Sequence, residues 1–276
     1  MAGWQAAQRG ADQRGTHEKG GKASMADEVL RVGVIGARGR MGTQVCQAVD
    51  TAEDLDLVAT VGDADWLFSL ADAGSQVVVD FTHPDVVMDH VRFCIDQNIH
   101  CVVGTSGIDE DRQNTIRGWL EHKPDLGVMV VPNFAYGAVL SARFAREAAR
   151  FFESVEIVEL HHAQKIDAPS GNALATAKGA AAARVAAGLG PGPDATTQSV
   201  DGARGAVVDG IHIHSVRLPG LISHQEVLFG SVGELLTIRH DSLDRSSFMP
   251  GVLLAIRSIG ERPGFTLGLE SLLGLE

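Results

Sequence analysis

A doubly wound parallel α/β sheet, followed by a second α+β domain on a mixed sheet, is the fold class this sequence predicts, and three observations predict it. Short apolar runs at 29–35, 55–61, 76–80, 100–104 and 128–131 alternate with helical stretches, the rhythm of parallel strands with helices on both faces. The first run is followed at once by Gly36-Ala-Arg-Gly-Arg-Met-Gly42. After Asn133 the rhythm changes to a helix, a strand, a second helix and then β-rich runs joined by tight turns.

Within the first run, Val32, Val34 and Ile35 are β-formers, and the glycine segment reads G-x-x-G-x-x-G. Met41, Val45, Ala48 and Val49 then recur at helical spacing. Strand, glycine turn and helix stand in the order that a dinucleotide site requires, with a Rossmann-like sheet around it. The pyrophosphate must approach backbone N–H groups closely, and the last glycine lets the helix lie near the strand. Gly36, Ala37, Arg38, Gly39, Arg40 and Met41 are therefore candidate cofactor residues; the plain alternative is an ordinary tight turn.

The second run should end near an acidic residue for the adenosine ribose, and Asp63 lies about twenty residues beyond the turn. Arg38 and Arg40 suit a 2′-phosphate instead, so NADH and NADPH both stay open. The third and fourth runs flank a helical stretch at 84–97 and end in Phe81-Thr82-His83 and Gly104-Thr105-Ser106-Gly107, and the fifth ends in Pro132-Asn133-Phe134. These ends fall on the edge where a doubly wound sheet places its ligand. Thr105, Ser106 and Asn133 are candidates for a nicotinamide amide or ribose, though each is also a common turn residue.

A helix at 137–152 is expected to bury Leu140, Phe144, Ala148 and Phe151. Val155, Ile157 and Val158 then form a strand that runs out at His161 and His162, with Lys165 and Asp167 on the following loop. Pro169 disfavours helix at Ala168, Ser170 is a good N-cap, and an alanine-rich helix follows at 171–185. An ammonium, imidazoles and free helix N–H groups together would hold a carboxylate or phosphate beside a proton donor. Further on, Asp209-Gly210 marks a hairpin, and 226–229 and 235–238 flank a Gly-containing turn. His212 and His214 share a strand face, but no acidic or thiolate partner lies nearby in the sequence, so no metal site is expected and solvated or interface histidines are. The helical segment at 249–259 is expected to return to the first domain.

At 276 residues and 45% hydrophobic, the chain can bury real cores, and a net charge of −12 argues against nucleic acid or anionic membrane as a partner. No apolar run approaches a membrane span. Cys46, Cys94 and Cys101 are an odd set without zinc spacing, which fits a reducing cytoplasm. Residues 1–26 are polar and Gly-rich and lie ahead of the first strand, with Met25 standing just before it, so a disordered leader without chemistry is expected there.

Taken together, Gly36 to Gly42, Asp80-Phe-Thr, Gly104-Thr-Ser-Gly107, Pro132-Asn-Phe134 and His161-His-x-x-Lys-x-Asp-Ala-Pro-Ser-Gly171 resemble the 4-hydroxy-tetrahydrodipicolinate (dihydrodipicolinate) reductase family from about Val29 onward. The resemblance implies a cytoplasmic NADH- or NADPH-dependent enzyme of diaminopimelate and lysine biosynthesis, commonly a homotetramer joined through the second domain's sheet, acting on a small dicarboxylate. It implies a dinucleotide-binding domain at 27–134, completed by 248–276, and a substrate-binding and oligomerisation domain at 135–247. By motif, Gly36 to Met41, Gly104 to Ser106 and Val131, Pro132, Asn133 and Phe134 would line the cofactor. His162, Gly171 and Asn172 would hold the substrate, and His161 and Lys165 would handle protons. Three positions depart from the family pattern: Gly62 stands where the acidic ribose ligand is expected, Ser106 replaces a threonine, and Asn172 replaces a threonine. A reductase for another cyclic imine or keto acid would explain Asn172, and a catalytically silent dinucleotide sensor would not need Lys165.

Overall fold

The structure is a computed structural model that describes residues 29–63 and 65–275; the expected leader at 1–26 lies outside the described residues. Strands β1 (Leu30–Ile35), β2 (Leu55–Val61), β3 (Val77–Asp80), β4 (His100–Val103) and β5 (Gly127–Val130) alternate with helices α1 (Arg40–Asp50), α2 (Phe68–Asp72), α3 (Val87–Asp96) and α4 (Glu110–Leu120). All pair in parallel, in the order β2-β1-β3-β4-β5, and β11 (Gly264–Leu267) adds a sixth strand beside β5.

Alternate strand residues bury on opposite faces. Val32, Val34, Val77 and Val79 pack on Val45 and Val49 of α1 and on Val252 and Ile256 of α7 (Met249–Ser258). Ile35, Val78, Val103 and Val130 pack on Val87 and Val91 of α3 and Ile116 of α4. Helices on both faces explain why these strands are apolar throughout. They also leave the carboxyl ends of β1 to β5 along one open edge, where ligands of such sheets bind. Helix α4 and strand β11 were not expected from the sequence. Only Ile116 and Leu120 of α4 are buried, which is too few to print a helical period.

The second sheet, in the order β10-β9-β6-β8-β7, is mixed. Strand β6 (Ser154–His161) lies at its centre, parallel to β8 (Ile211–Arg217) and antiparallel to β9 (Ser223–Ser231). Strands β7 (Ala206–Val208) and β10 (Glu234–Ser242) close the edges, and β9 and β10 run longer than the sequence suggested. Helices α5 (Tyr136–Ala148) and α6 (Gly171–Ala186) cover one face of this sheet.

The expected buried face of α5 is wrong. Ala138, Val139, Ser141 and Ala145 are buried, whereas Phe144 and Phe151 are 52% and 77% exposed. The reason is close helix approach: α5 meets the alanines of α6, Ala173, Ala177 and Ala180, and only small residues fit between two helices and a sheet.

Candidate functional site

The glycine turn is built where β1 meets the sheet edge. Gly36 has φ +78°, and a Cβ there would sit 2.2 Å from the Phe81 carbonyl oxygen, while one on Gly42 would sit 2.0 Å from the Gly36 oxygen. The N–H groups of Gly36 and Ala37 are taken by the Val61 carbonyl. Gly39 caps α1 without any side-chain hydrogen bond, so the N–H groups of Arg40, Met41 and Gly42 point outward unpaired by the helix. That is a cradle for a diphosphate.

Beside the turn, a cleft of about 780 Å³ is lined by Gly36, Arg38, Gly39 and Asp63. The acidic residue that organises this end is Asp65 rather than Asp63: it accepts from the Gly62 N–H at 2.8 Å and from the Arg38 guanidinium at 2.8 Å. The Gly62 N–H and Arg38 together hold its carboxyl below the usual range. A Cβ on Gly62 would lie 2.8 Å from the Arg38 Nη1, so the guanidinium packs against this glycine.

A second cleft, of about 490 Å³, begins at Met41 and runs past Gly104, Thr105 and Ser106, then Val131, Pro132, Asn133 and Phe134, to His161, Lys165, Gly171 and Asn172. Arg40 and His162 line a third opening that joins the turn to this cleft. Of the residues expected from the sequence, Ala37 alone lines none of the three. Thr105 and Asn133 are present but partly spent. The Thr105 hydroxyl donates to the buried Asp80 carboxylate at 2.5 Å and accepts from the Thr82 N–H, and the Asn133 side-chain oxygen Oδ1 accepts from the Ala135 N–H at 2.9 Å. These contacts shape the strand ends.

The opposite wall comes from β6 and α6. The side chain of His161 is 10% exposed, with Nδ1 2.5 Å from Glu159 Oε2 and Nε2 3.1 Å from the Ser223 hydroxyl. Glu159, wholly buried, also accepts from both terminal nitrogens of Arg217 and from the Ser170 N–H. Burial opposes its charge, but His161 and Arg217 outweigh that and bring its carboxyl down to about 2. Lys165 Nζ lies 2.7 Å from Asp167 Oδ1. Ser170 accepts from the Ala173 N–H, so the N–H groups of Gly171 and Asn172 remain free at the start of α6. His162 has a buried Nδ1 without a partner among the described residues. Burial, then the charges of Arg40 and Arg245, press it toward the neutral form.

Two expectations are corrected here. The Asn172 side-chain amide does not point freely at the cleft: its nitrogen donates to Gln225 Oε1 at 3.2 Å, and Gln225 in turn donates to the Thr176 hydroxyl. His212 and His214 are half-buried and do have acids beside them. His214 Nε2 lies 2.8 Å from Glu156, and His212 lies 3.8 Å from Asp194, with Arg204 paired to both carboxylates. Strand pairing and the loop before β7 bring these acids in, which local sequence cannot show. Among the described residues no group of three or more His, Cys, Asp or Glu side chains is placed to hold a metal ion.

A diphosphate cradle that opens directly onto a cleft holding an imidazole, an ammonium and free helix N–H groups defines a nicotinamide-dinucleotide-dependent oxidoreductase. Residues 30–134 match the family model "Dihydrodipicolinate reductase, N-terminus", and residues 137–273 match "Dihydrodipicolinate reductase, C-terminus". The 4-hydroxy-tetrahydrodipicolinate reductase of Nocardia farcinica is 60% identical over 246 residues, 89% of this chain and 99% of the relative. That of Mycobacterium marinum is 58% identical over 247 residues, 90% of this chain and all of the relative. A dipicolinate-bound dihydrodipicolinate reductase from Paenisporosarcina sp. TG-14 superposes with a TM-score of 0.75 at 38% identity, over 88% of this chain and 99% of the other. The chain belongs to the dihydrodipicolinate reductase family, whose enzymes use NADH or NADPH. No helix among the described residues is long and apolar enough to cross a membrane.

Proposed function

We propose that this chain reduces 4-hydroxy-tetrahydrodipicolinate, after loss of water to the cyclic imine, to tetrahydrodipicolinate in diaminopimelate and lysine biosynthesis. One observation carries the reading: His161, Lys165 and the free N–H groups of Gly171 and Asn172 line the same cleft as the strand-end segments Gly104 to Ser106 and Val131 to Phe134. NADH or NADPH supplies the hydride. The fit of a dinucleotide rests on Gly36 and Gly42, where no Cβ has room, and on the unpaired N–H groups at the start of α1. Gly36 to Met41, Gly104 to Ser106 and Val131 to Phe134 bind it.

At the other wall, the Gly171 and Asn172 N–H groups and His162 hold a substrate carboxylate. Electrons arriving on the ring nitrogen require a proton, and Lys165 and His161 are the groups placed to hold and deliver one. The dinucleotide-binding unit comprises 27–134 with 248–276, since β11 and α7 join the first sheet. Residues 135–247 form the substrate-binding and oligomerisation unit. Val158 and Leu228 lie on the face of the second sheet turned away from α5 and α6, an apolar surface that supports contact between copies through that sheet; a homotetramer in the cytoplasm is the assembly the family resemblance implies. The test is a spectrophotometric assay of nicotinamide oxidation with the freshly generated pathway intermediate. Turnover supports the assignment. Absence of turnover, with cofactor binding retained, refutes it in favour of another imine, a keto acid, or a sensor.

Two further outcomes follow from the site. Replacing both Arg38 and Arg40 by alanine should raise KM for NADPH about tenfold or more and that for NADH less, because only NADPH carries a 2′-phosphate for a guanidinium to meet. Equal losses would mean that neither arginine reads that phosphate, and steady-state kinetics with the two cofactors separates the cases. Asn172→Thr should change substrate KM by no more than about tenfold, roughly 1.4 kcal/mol, with little change in kcat. The backbone N–H at that position is kept, and the lost amide mainly contacts Gln225. A wild type inactive on this substrate, switched on by Asn172→Thr, would make the position a specificity determinant and overturn the assignment.

A further inference from the structure

One buried carboxylate, absent from the cleft lining, contacts His161, the Ser170 N–H and Arg217. Glu159 is 0% exposed, two residues before His161 on β6, and so on the same face of the strand. Its Oε2 lies 2.5 Å from His161 Nδ1, and its Oε1 accepts from the Ser170 N–H at 3.2 Å. Arg217 grips both oxygens, at 2.9 and 2.8 Å, and also donates to the Asp167 carbonyl on the loop that carries Lys165. An ionised carboxylate only accepts. Nδ1 must therefore keep its proton, and Nε2, 3.1 Å from the Ser223 hydroxyl and on the cleft side, is the nitrogen that takes up and gives the exchangeable proton.

We propose, on the basis of the function assigned above, that Glu159 is the positioning residue of this reaction: it fixes the His161 imidazole in the Nδ1–H form with Nε2 toward the cleft. The same carboxylate ties that ring to the anion-binding start of α6 through Ser170. Arg217 supplies the fixed counter-charge, and its planar fork matches the carboxylate geometry. A carboxylate held this way orients an imidazole and chooses its tautomer without itself exchanging protons with substrate.

A buried ion pair that merely pins β6 to β8 would make the same contacts, so the test must read what pinning alone does not move. Glu159→Gln should lower kcat about tenfold to a hundredfold, with KM for NADH within about twofold. In a His161→Gln background the same change should cost nothing further in kcat, because Glu159 acts through the ring. Multiplying losses in the double variant, or a single variant with kcat within about twofold of wild type, overturns the proposal. The wild-type enzyme gives a check that needs no variant: proton–nitrogen correlation spectra of the imidazoles should place the His161 proton on Nδ1, and a neutral ring protonated on Nε2 overturns the proposal even if Glu159→Gln fails to fold. The wild-type assay judges the substrate independently, since inactivity there would sink the functional assignment while leaving the tautomer to be read from the spectra.

Discussion

Lys165→Met is expected to leave NADH binding intact and to lower turnover by about two to four orders of magnitude, the scale of losing a positioned general acid. The geometry favours an effect at that upper scale. The Lys165 side chain is only 21% exposed, it is held 2.7 Å from Asp167, and it lines the cleft with His161 and Gly171. Burial works against the Asp167 charge, but the Lys165 contact prevails and keeps that carboxyl below its usual range, so the ammonium has a fixed partner that aims it. Methionine keeps most of the length of the side chain and removes the ammonium with its protons. Stopped-flow or steady-state turnover beside fluorescence titration of NADH checks the outcome. A variant with near-normal turnover would make Lys165 a loop cation and send the proton's source elsewhere, His161 being next in line.

Gly36→Ala should remove cofactor binding by about a hundredfold or more and destabilise the fold by about 3 kcal/mol or more, the range reserved for strain at a special backbone position. Two costs coincide there. The φ of +78° disfavours any L side chain, and the new methyl would lie 2.2 Å from a backbone oxygen, Phe81 O. That oxygen cannot swing aside cheaply, because its peptide plane is held from the other side, where the Thr82 N–H donates to the Thr105 hydroxyl at 2.7 Å and to Asp80 Oδ1 at 3.1 Å. The turn must therefore open, and the N–H groups of Arg40 to Gly42 lose their direction toward a diphosphate. Thermal unfolding and NADH titration measure the two effects separately. A variant that keeps both melting temperature and NADH affinity would show that the turn has room to relax, and would remove the cradle from the argument for a dinucleotide.

The first sheet and the glycine turn were legible because their signals are local. Strand β2 falls at Leu55–Val61 as the apolar run predicts, and the start of α6 at Gly171 follows from Ser170 and Pro169. A strand–turn–helix reads out from neighbouring residues, since tight turns, caps and burial periods act over a few positions. The same holds for His161, Lys165 and Gly171, which sit within one short segment and reach one cleft. Helix α5 misled because its apolar residues are large where α6 demands small ones, a requirement set by a neighbour and not by period.

By itself, then, the sequence determined the parallel sheet, the glycine turn and the segment that carries His161, Lys165 and Gly171 to one cleft. The tertiary structure alone decided that Asp65, and not Asp63, meets Arg38, that the Asn172 amide is turned to Gln225, and that Glu159 is gripped by Arg217 from 58 positions away. The division has one physical cause: spacing along a strand or turn fixes the direction of nearby side chains, whereas the partner of a buried charge is chosen by which strands pair, and β6 meets β8 only after the chain has folded.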